Sequence, residues 1–107
     1  MRKVLLGFVL VITMMSCSKE EIPVVEIDTT APVITLIGDA VTTVKIYTVY
    51  IDAGATAMDN VDGDLTLDIV STSRVDIKVL GTYDVIYRVS DEAGNVGEAV
   101  RIVSVIK

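Results

Sequence analysis

The segment GTYDVIYRVSDEAGN, residues 81–95, decides the fold class of this chain. In it one set of alternate positions is largely apolar and the other largely polar, with Tyr83, Val85, Tyr87 and Val89 on the apolar side. A period of two predicts a β-strand with one buried face, so both tyrosines are expected to pack in the core rather than stack on a ligand. DEAGN at 91–95 supplies Gly and Asn for positive φ and predicts a hairpin.

The rest of the chain after Pro32 shows a similar pattern of short β-strand signals separated by turns. Short runs rich in Val, Ile, Thr and Tyr alternate with Gly, Asp and Asn turn signals, and no segment has the 3.6-residue stripe of an amphipathic helix. The predicted strands cover 32–37, 41–46, 49–51, 55–58, 65–70, 75–79, 82–90 and 97–106. This spacing predicts an all-β antiparallel sandwich of about seven strands.

The N-terminus has the pattern of a targeting segment. Arg2 and Lys3 precede an apolar run over 4–15, and Ser16 is a small residue at a possible cleavage site. We therefore predict a signal peptide over 1–16. A membrane span needs about 20 apolar residues, so an uncleaved anchor helix is the weaker alternative.

The only cysteine, Cys17, directly follows this run. Its setting resembles the lipobox of bacterial lipoproteins, and the resemblance implies a lipidated Cys17 at the new N-terminus. Residues 17–30 are predicted to form a flexible tether. The residues after Cys17, namely Ser18, Lys19, Glu20 and Glu21, are similar to the surface-export signal of Bacteroidetes lipoproteins.

The predicted location is the outer membrane, where the protein is lipid-anchored and exposed at the cell surface. The alternative is a periplasm-facing protein with an ordinary solvated tether.

Composition excludes several functions. The chain has no histidine, and with Cys17 lipidated neither a Ser-His-Asp or Cys-His nucleophile nor an ordinary zinc site can form. Paired carboxylates leave only a hydrolase as a remote enzymatic alternative. The net charge of −6 makes nucleic acid an unsuitable partner and favours cations.

An acidic loop, MDNVDGDL at 58–65, is the candidate cation site. Calcium prefers six to eight hard oxygen ligands, and the hairpin turn can add to those of the loop. The candidate ligands are Asp59, Asn60, Asp62, Asp64, Asp91 and Asn95. The spacing is not that of an EF-hand. The alternative is that Asp, Asn and Gly are simply the residues that tight turns select.

Four blocks in order resemble a known family: PVITLIGD, DAGATAMDNVDGDLT, GTYDVIYRVSDEAGN and RIVSV. They are similar to the bacterial immunoglobulin-like domain of the pesticidal-crystal-protein type, a domain of unknown function common in surface proteins. The resemblance implies an immunoglobulin-like sandwich, placed here at 31–107, with a structural or adhesive role and no assigned chemistry.

The sequence therefore predicts a non-enzymatic outer-membrane lipoprotein that presents one immunoglobulin-like domain. Its expected role is adhesion, binding of a protein or glycan partner, or accessory work in an envelope complex, with exposed sheet edges available for strand addition. One alternative is a spacer or oligomerising module without a ligand. Another is a small carbohydrate-binding module. Such modules usually bind sugars on exposed aromatic side chains, whereas this chain has no Trp and four Tyr.

Overall fold

A computed structural model describes residues 27–107. Seven strands and one short 3-10 helix (η1) make up this region. The strands are β1 (Val33–Leu36), β2 (Val41–Lys45), β3 (Ala55–Asp59), β4 (Gly63–Asp64), β5 (Val70–Ser73), β6 (Gly81–Ser90) and β7 (Val96–Ile106), and η1 is Thr66–Asp68. The predicted all-β fold of about seven strands is confirmed.

The strands form two sheets. One has the order β1-β3-β4 and is antiparallel. The other has the order β2-β7-β6-β5, in which β2 runs parallel to β7 and the other pairs are antiparallel. The long β6–β7 hairpin is the centre of this larger sheet, with a ladder that pairs Gly81 with Val105 and Ser90 with Val96. It is joined by the predicted turn, in which Asp91 N–H donates to the Asn95 carbonyl at 3.0 Å.

The core lies between the sheets and is built by the alternation in the hairpin. Val85, Tyr87 and Val103 are buried together, and side chains of the smaller sheet such as Ile34 and Leu36 pack against them. Tyr87 is only 2% exposed, so the prediction that it is a core residue is confirmed. Burying these side chains is the main driving force for bringing the two sheets together.

Three predicted strands are wrong, and local turn chemistry explains why. Residues 49–51 form a connecting segment in which Val49 and Ile51 stay exposed. In 65–70, Asp64 accepts from the Thr66 N–H at 2.9 Å, and Thr66–Asp68 form helix η1 instead of a strand. In 75–79, Asp76 accepts from the Lys78 N–H at 3.0 Å and forms a turn.

Strand β5 was partly missed because its sequence, VSTS, is polar. All four of its residues are exposed, and it pairs with β6 on one side only.

Within 27–107, no helix is long and apolar enough to cross a membrane.

Candidate functional site

Three carboxylates meet at one end of the sandwich, and we call them the acidic cluster: Asp28, Asp59 and Asp91. One oxygen from each lies within 4.8 Å of the others. Asp28 precedes β1, Asp59 ends β3, and Asp91 begins the β6–β7 turn. The pleat of β3 that buries Ala57 also turns Asp59 inward, because residues two apart in a strand share a face.

Two oxygens of the cluster are buried and have no hydrogen-bond partner among the described residues, namely Asp59 Oδ1 and Asp28 Oδ2. The other oxygen of each carboxylate is bonded locally. Asp59 Oδ2 accepts from the N–H groups of Val61 and Asp62 at 3.0 and 2.9 Å, and Asp28 Oδ1 accepts from the Thr30 N–H at 3.0 Å. Asp59 is only 6% exposed, so water reaches it poorly. Buried polar atoms are nearly always partnered, which marks these two oxygens as exceptional.

Asp91 is held by the hairpin turn. It is 6% exposed, and its two carboxylate oxygens accept from the Asn95 backbone N–H at 2.8 Å and from Asn95 Nδ2 at 2.9 Å. The same Nδ2 donates to the Asp28 carbonyl at 2.9 Å. Asn95 therefore ties the chain before β1 to the turn.

The pKa values of Asp28 and Asp91 are shifted in opposite directions. The hydrogen bond from Thr30 acts to lower the pKa of Asp28, but burial, a side-chain hydrogen bond with Asp91 and the charges of Asp59 and Asp91 raise it overall. Burial acts to raise the pKa of Asp91, but the hydrogen bonds from Asn95 lower it overall. Like charges at this distance repel one another, and a bound cation would relieve that repulsion.

The structure brings together only part of the predicted cation site. Asp59 and Asp91 lie in the cluster, and Asn95 supports it. Asn60 is exposed, Asp62 Oδ2 accepts from the Glu92 N–H at 2.7 Å, and Asp64 Oδ1 accepts from the Thr66 N–H at 2.9 Å. The hydrogen bonds from Thr66 lower the pKa of Asp64. These loop carboxylates brace turns.

Sequence reasoning missed Asp28. The sequence places Asp28 in the predicted tether. Its position two residues before Thr30 indicates a local turn and gives no signal of a place in the acidic cluster. The predicted lipidation and export residues, Cys17 and Ser18, Lys19, Glu20 and Glu21, lie outside the described residues.

A second polar group, around Arg101, is fully satisfied. Arg101 is 2% exposed and donates to Asp52 Oδ1 at 2.7 Å and to the Tyr87 hydroxyl at 2.8 Å. Its other nitrogens donate to the carbonyls of Asp39, Ile37 and Gly54. Because all these donors are used within the fold, we interpret the group around Arg101 as a structural contact that holds the two sheets together.

A shallow cleft of about 580 Å³ lies on the outer face of the larger sheet. Its volume is in the range of ligand sites. It runs beside the edge strand β5 and is lined by Asp68, Val70, Thr72, Arg74, Ile86, Arg88, Val89 and Ser90. Arg88 donates to Glu98 at 2.8 Å, and both side chains are substantially exposed.

Residues 34–105 match the family described as bacterial surface protein, Ig-like domain. The chain therefore belongs to this family. No curated protein shows significant sequence similarity to it.

Solved structures show the same fold. The lipoprotein BT2262 from Bacteroides thetaiotaomicron is 23% identical with a TM-score of 0.60, over 69% of this chain and 37% of that one. A Clostridium perfringens ZmpB structure, described as CBM51-2 in complex with GlcNAc and INT domains, is 26% identical with a TM-score of 0.54, over 71% of this chain and 17% of that one. Another ZmpB structure, with the M60 catalytic domain, CBM51-1 and CBM51-2, is 24% identical with a TM-score of 0.52, over 70% and 8%. The chain thus spans well under half the length of each of these structures.

Proposed function

We propose that this protein is a non-enzymatic, lipid-anchored protein of the bacterial cell envelope whose domain binds another protein through the β5 edge of the larger sheet. The observation that carries the proposal is this edge. All four residues of β5 are exposed, and on the side away from β6 the strand pairs with no other described strand. An open edge offers backbone donors and acceptors to an added strand.

The chemistry of the adjoining cleft supports a partner segment that is extended and carries an acidic side chain. Val70 and Ile86 offer apolar contact, and Arg74 offers a cation in a chain whose net charge is −6. Arg is well suited to bind a carboxylate, with two parallel hydrogen bonds. An acidic segment would be repelled by much of this protein's surface, whereas in the cleft Arg74 and Arg88 outnumber the one acidic residue, Asp68, which favours one orientation.

The membrane part of the proposal rests on the sequence and the family. The family is one of surface proteins, and Cys17 follows an apolar run in the manner of a lipobox. Stable anchoring takes two or more acyl chains, as a lipidated and N-acylated cysteine provides. The similar fold of a Bacteroides lipoprotein agrees with this reading.

The test is photo-crosslinking in intact cells. A photoreactive amino acid replaces Thr72 in β5, and the matched control carries it at Thr56, which is exposed in the other sheet. The expected result is a discrete adduct from position 72 alone that digests into peptides of a second protein. Adding Arg74→Glu should abolish this adduct, whereas Lys78→Glu, an exposed cation outside the cleft, should leave it.

Three results would overturn the proposal. Equal labelling from positions 72 and 56 would mean that β5 is no special surface. An adduct of twice the chain mass would mean a self-associating module. An adduct that resists protease and falls to glycosidase would indicate a carbohydrate-binding module instead.

A further inference from the structure

We propose that Asp28, Asp59 and Asp91 bind one calcium ion, and that this ion fastens the segment before β1 to the end of the sandwich. This goes beyond the proposed binding function and does not depend on it. The site also differs from the acidic loop read from the sequence, because Asp28 replaces Asn60, Asp62 and Asp64 as a ligand.

The spacing of the three carboxylates suits one ion. Calcium binds oxygens at about 2.3–2.6 Å, so two oxygens on the same ion are at most about 5 Å apart. One oxygen from each of Asp28, Asp59 and Asp91 falls within 4.8 Å of the others. A single cation among them can therefore reach all three.

The two unpartnered oxygens are the independent observation that points to a ligand. Asp59 Oδ1 and Asp28 Oδ2 are both buried without a donor, although their sister oxygens are bonded. Leaving a buried charged acceptor unpaired costs more free energy than leaving a neutral one unpaired. A cation satisfies both oxygens at once and removes the repulsion between three like charges.

The donor set selects the metal. All three side chains offer carboxylate oxygen, which is the ligand of hard cations, and the chain has no histidine for zinc. Calcium tolerates flexible geometry with water and carbonyl oxygens completing six to eight ligands. Magnesium demands a tighter octahedron and gives up its water reluctantly, so it should bind more weakly.

The position of Asp28 gives the site a mechanical consequence. It lies eleven positions after Cys17, whereas Asp59 and Asp91 belong to the body of the domain. The bond from Asn95 Nδ2 to the Asp28 carbonyl already holds the segment near the site. A bound calcium ion links Asp28 to both Asp59 and Asp91. It therefore fixes the position at which the domain joins its tether.

Calorimetric titration of the full chain in detergent, stripped with EDTA, tests the site. Calcium chloride should bind at one site per chain. Asp59→Asn and Asp28→Asn should each weaken binding by at least about tenfold, because ligand charge sets calcium affinity. Asp28→Asn lies outside all strands, and the Asn oxygen in Asp59→Asn can still accept from Val61 and Asp62, so both variants should fold.

Two control variants remove the same charge elsewhere. Asp39→Asn alters an exposed turn, and Asp64→Asn alters the acidic loop outside the cluster. Both should keep the wild-type affinity within about twofold, and magnesium should bind at least about tenfold more weakly than calcium. No heat of binding in the wild type, or equal weakening by Asp64→Asn and Asp28→Asn, would overturn the proposal.

Hydrogen–deuterium exchange tests the fastening. Calcium should slow exchange in peptides covering 27–31 of the wild type, since local opening then requires loss of the metal. The same peptides should not respond in Asp59→Asn, whose substitution lies in another segment. Calcium binding with unchanged exchange at 27–31 would overturn the fastening.

Discussion

Arg101 in β7 and Asp52, in the segment before β3, form an ion pair of 2.7 Å that links the two sheets. The Arg101 side chain is 2% exposed and that of Asp52 23%. Asp52 also accepts from the hydroxyls of Tyr50 and Tyr87 and from the Gly54 N–H. The pair is thus embedded in a network that joins the larger sheet to the entrance of β3.

Arg101→Met should destabilise the domain by about 3 kcal/mol, since it removes the cation that pairs with the partly buried Asp52 carboxylate and the donor to the carbonyls of Asp39 and Ile37. Urea unfolding measures the loss. The matched control is Arg88→Met, which breaks an exposed pair with Glu98 and should cost at most about 1 kcal/mol. Similar losses for the two variants would contradict a structural role for the buried arginine.

Stability should fall in acid because of Asp52. Burial acts to raise its pKa, but hydrogen bonds from Tyr50, Arg101 and Gly54 hold the pKa below its ordinary value of 3.8. The unfolded chain therefore takes up the proton first as the pH falls. The contribution of Asp52 is fully present above the unfolded value and is lost as the pH falls through the folded one.

The measurement is urea unfolding of the wild type and Asp52→Asn from about pH 6 to about pH 3. The variant should be less stable at the upper end, and the difference should shrink towards the lower end. A difference that stays constant with pH would show that the charge of Asp52 is irrelevant.

Gly97→Ala should be destabilising by about 2–3 kcal/mol, because a Cβ at this buried position would collide with the Pro32 carbonyl oxygen and lie 3.1 Å from its carbon. Gly63→Ala is the comparison. It has open space but a φ of +80°, so it should cost only about 1 kcal/mol of backbone strain. Thermal melts rank the two, and a reversed order would refute the steric explanation.

Cys17→Ala should release the protein from membranes. A single thiol carries the predicted anchor, and without acyl chains nothing comparable holds the chain to the bilayer. Fractionation of cells expressing the variant should find it outside the membrane pellet or retained as an unprocessed precursor. The control variant Ser18→Ala should still sediment with membranes as processed protein. If Cys17→Ala also sediments as processed protein, the prediction of a lipid anchor at Cys17 is wrong.

Replacing Lys19, Glu20 and Glu21 together by alanine should separate export from anchoring. The variant should remain in the membrane fraction but become resistant to protease added to intact cells, because the proposed surface signal is gone. Protease sensitivity equal to that of the wild type would indicate that these residues are an ordinary tether.

The alternation in residues 81–90 predicted β6, its buried face and the following hairpin, because strand period and turn chemistry are local properties. The turns around Asp64 and Asp76 were predicted as strands, because their side-chain bonds to the backbone overrode the apolar pattern there. Most of β5 was not predicted, because its sequence is polar and exposed. Arg101 was not foreseen in the core. It shares an inward face with Val103 and Val105. Its burial is tolerable because Asp52, 49 positions away, pairs with it and because Tyr87 and three backbone carbonyls accept its other hydrogen bonds.

The all-β class, the hairpin, the lack of histidine chemistry and the acidic surplus could all be predicted, because they follow from composition and short-range periodicity. Which carboxylates meet could not be predicted, because it depends on how the two sheets pack. Asp28, Asp59 and Asp91 lie on three separate segments, and their oxygens approach because packing of the two sheets brings those segments to one end. A contact between distant residues depends on sheet order and register, which local sequence patterns do not specify.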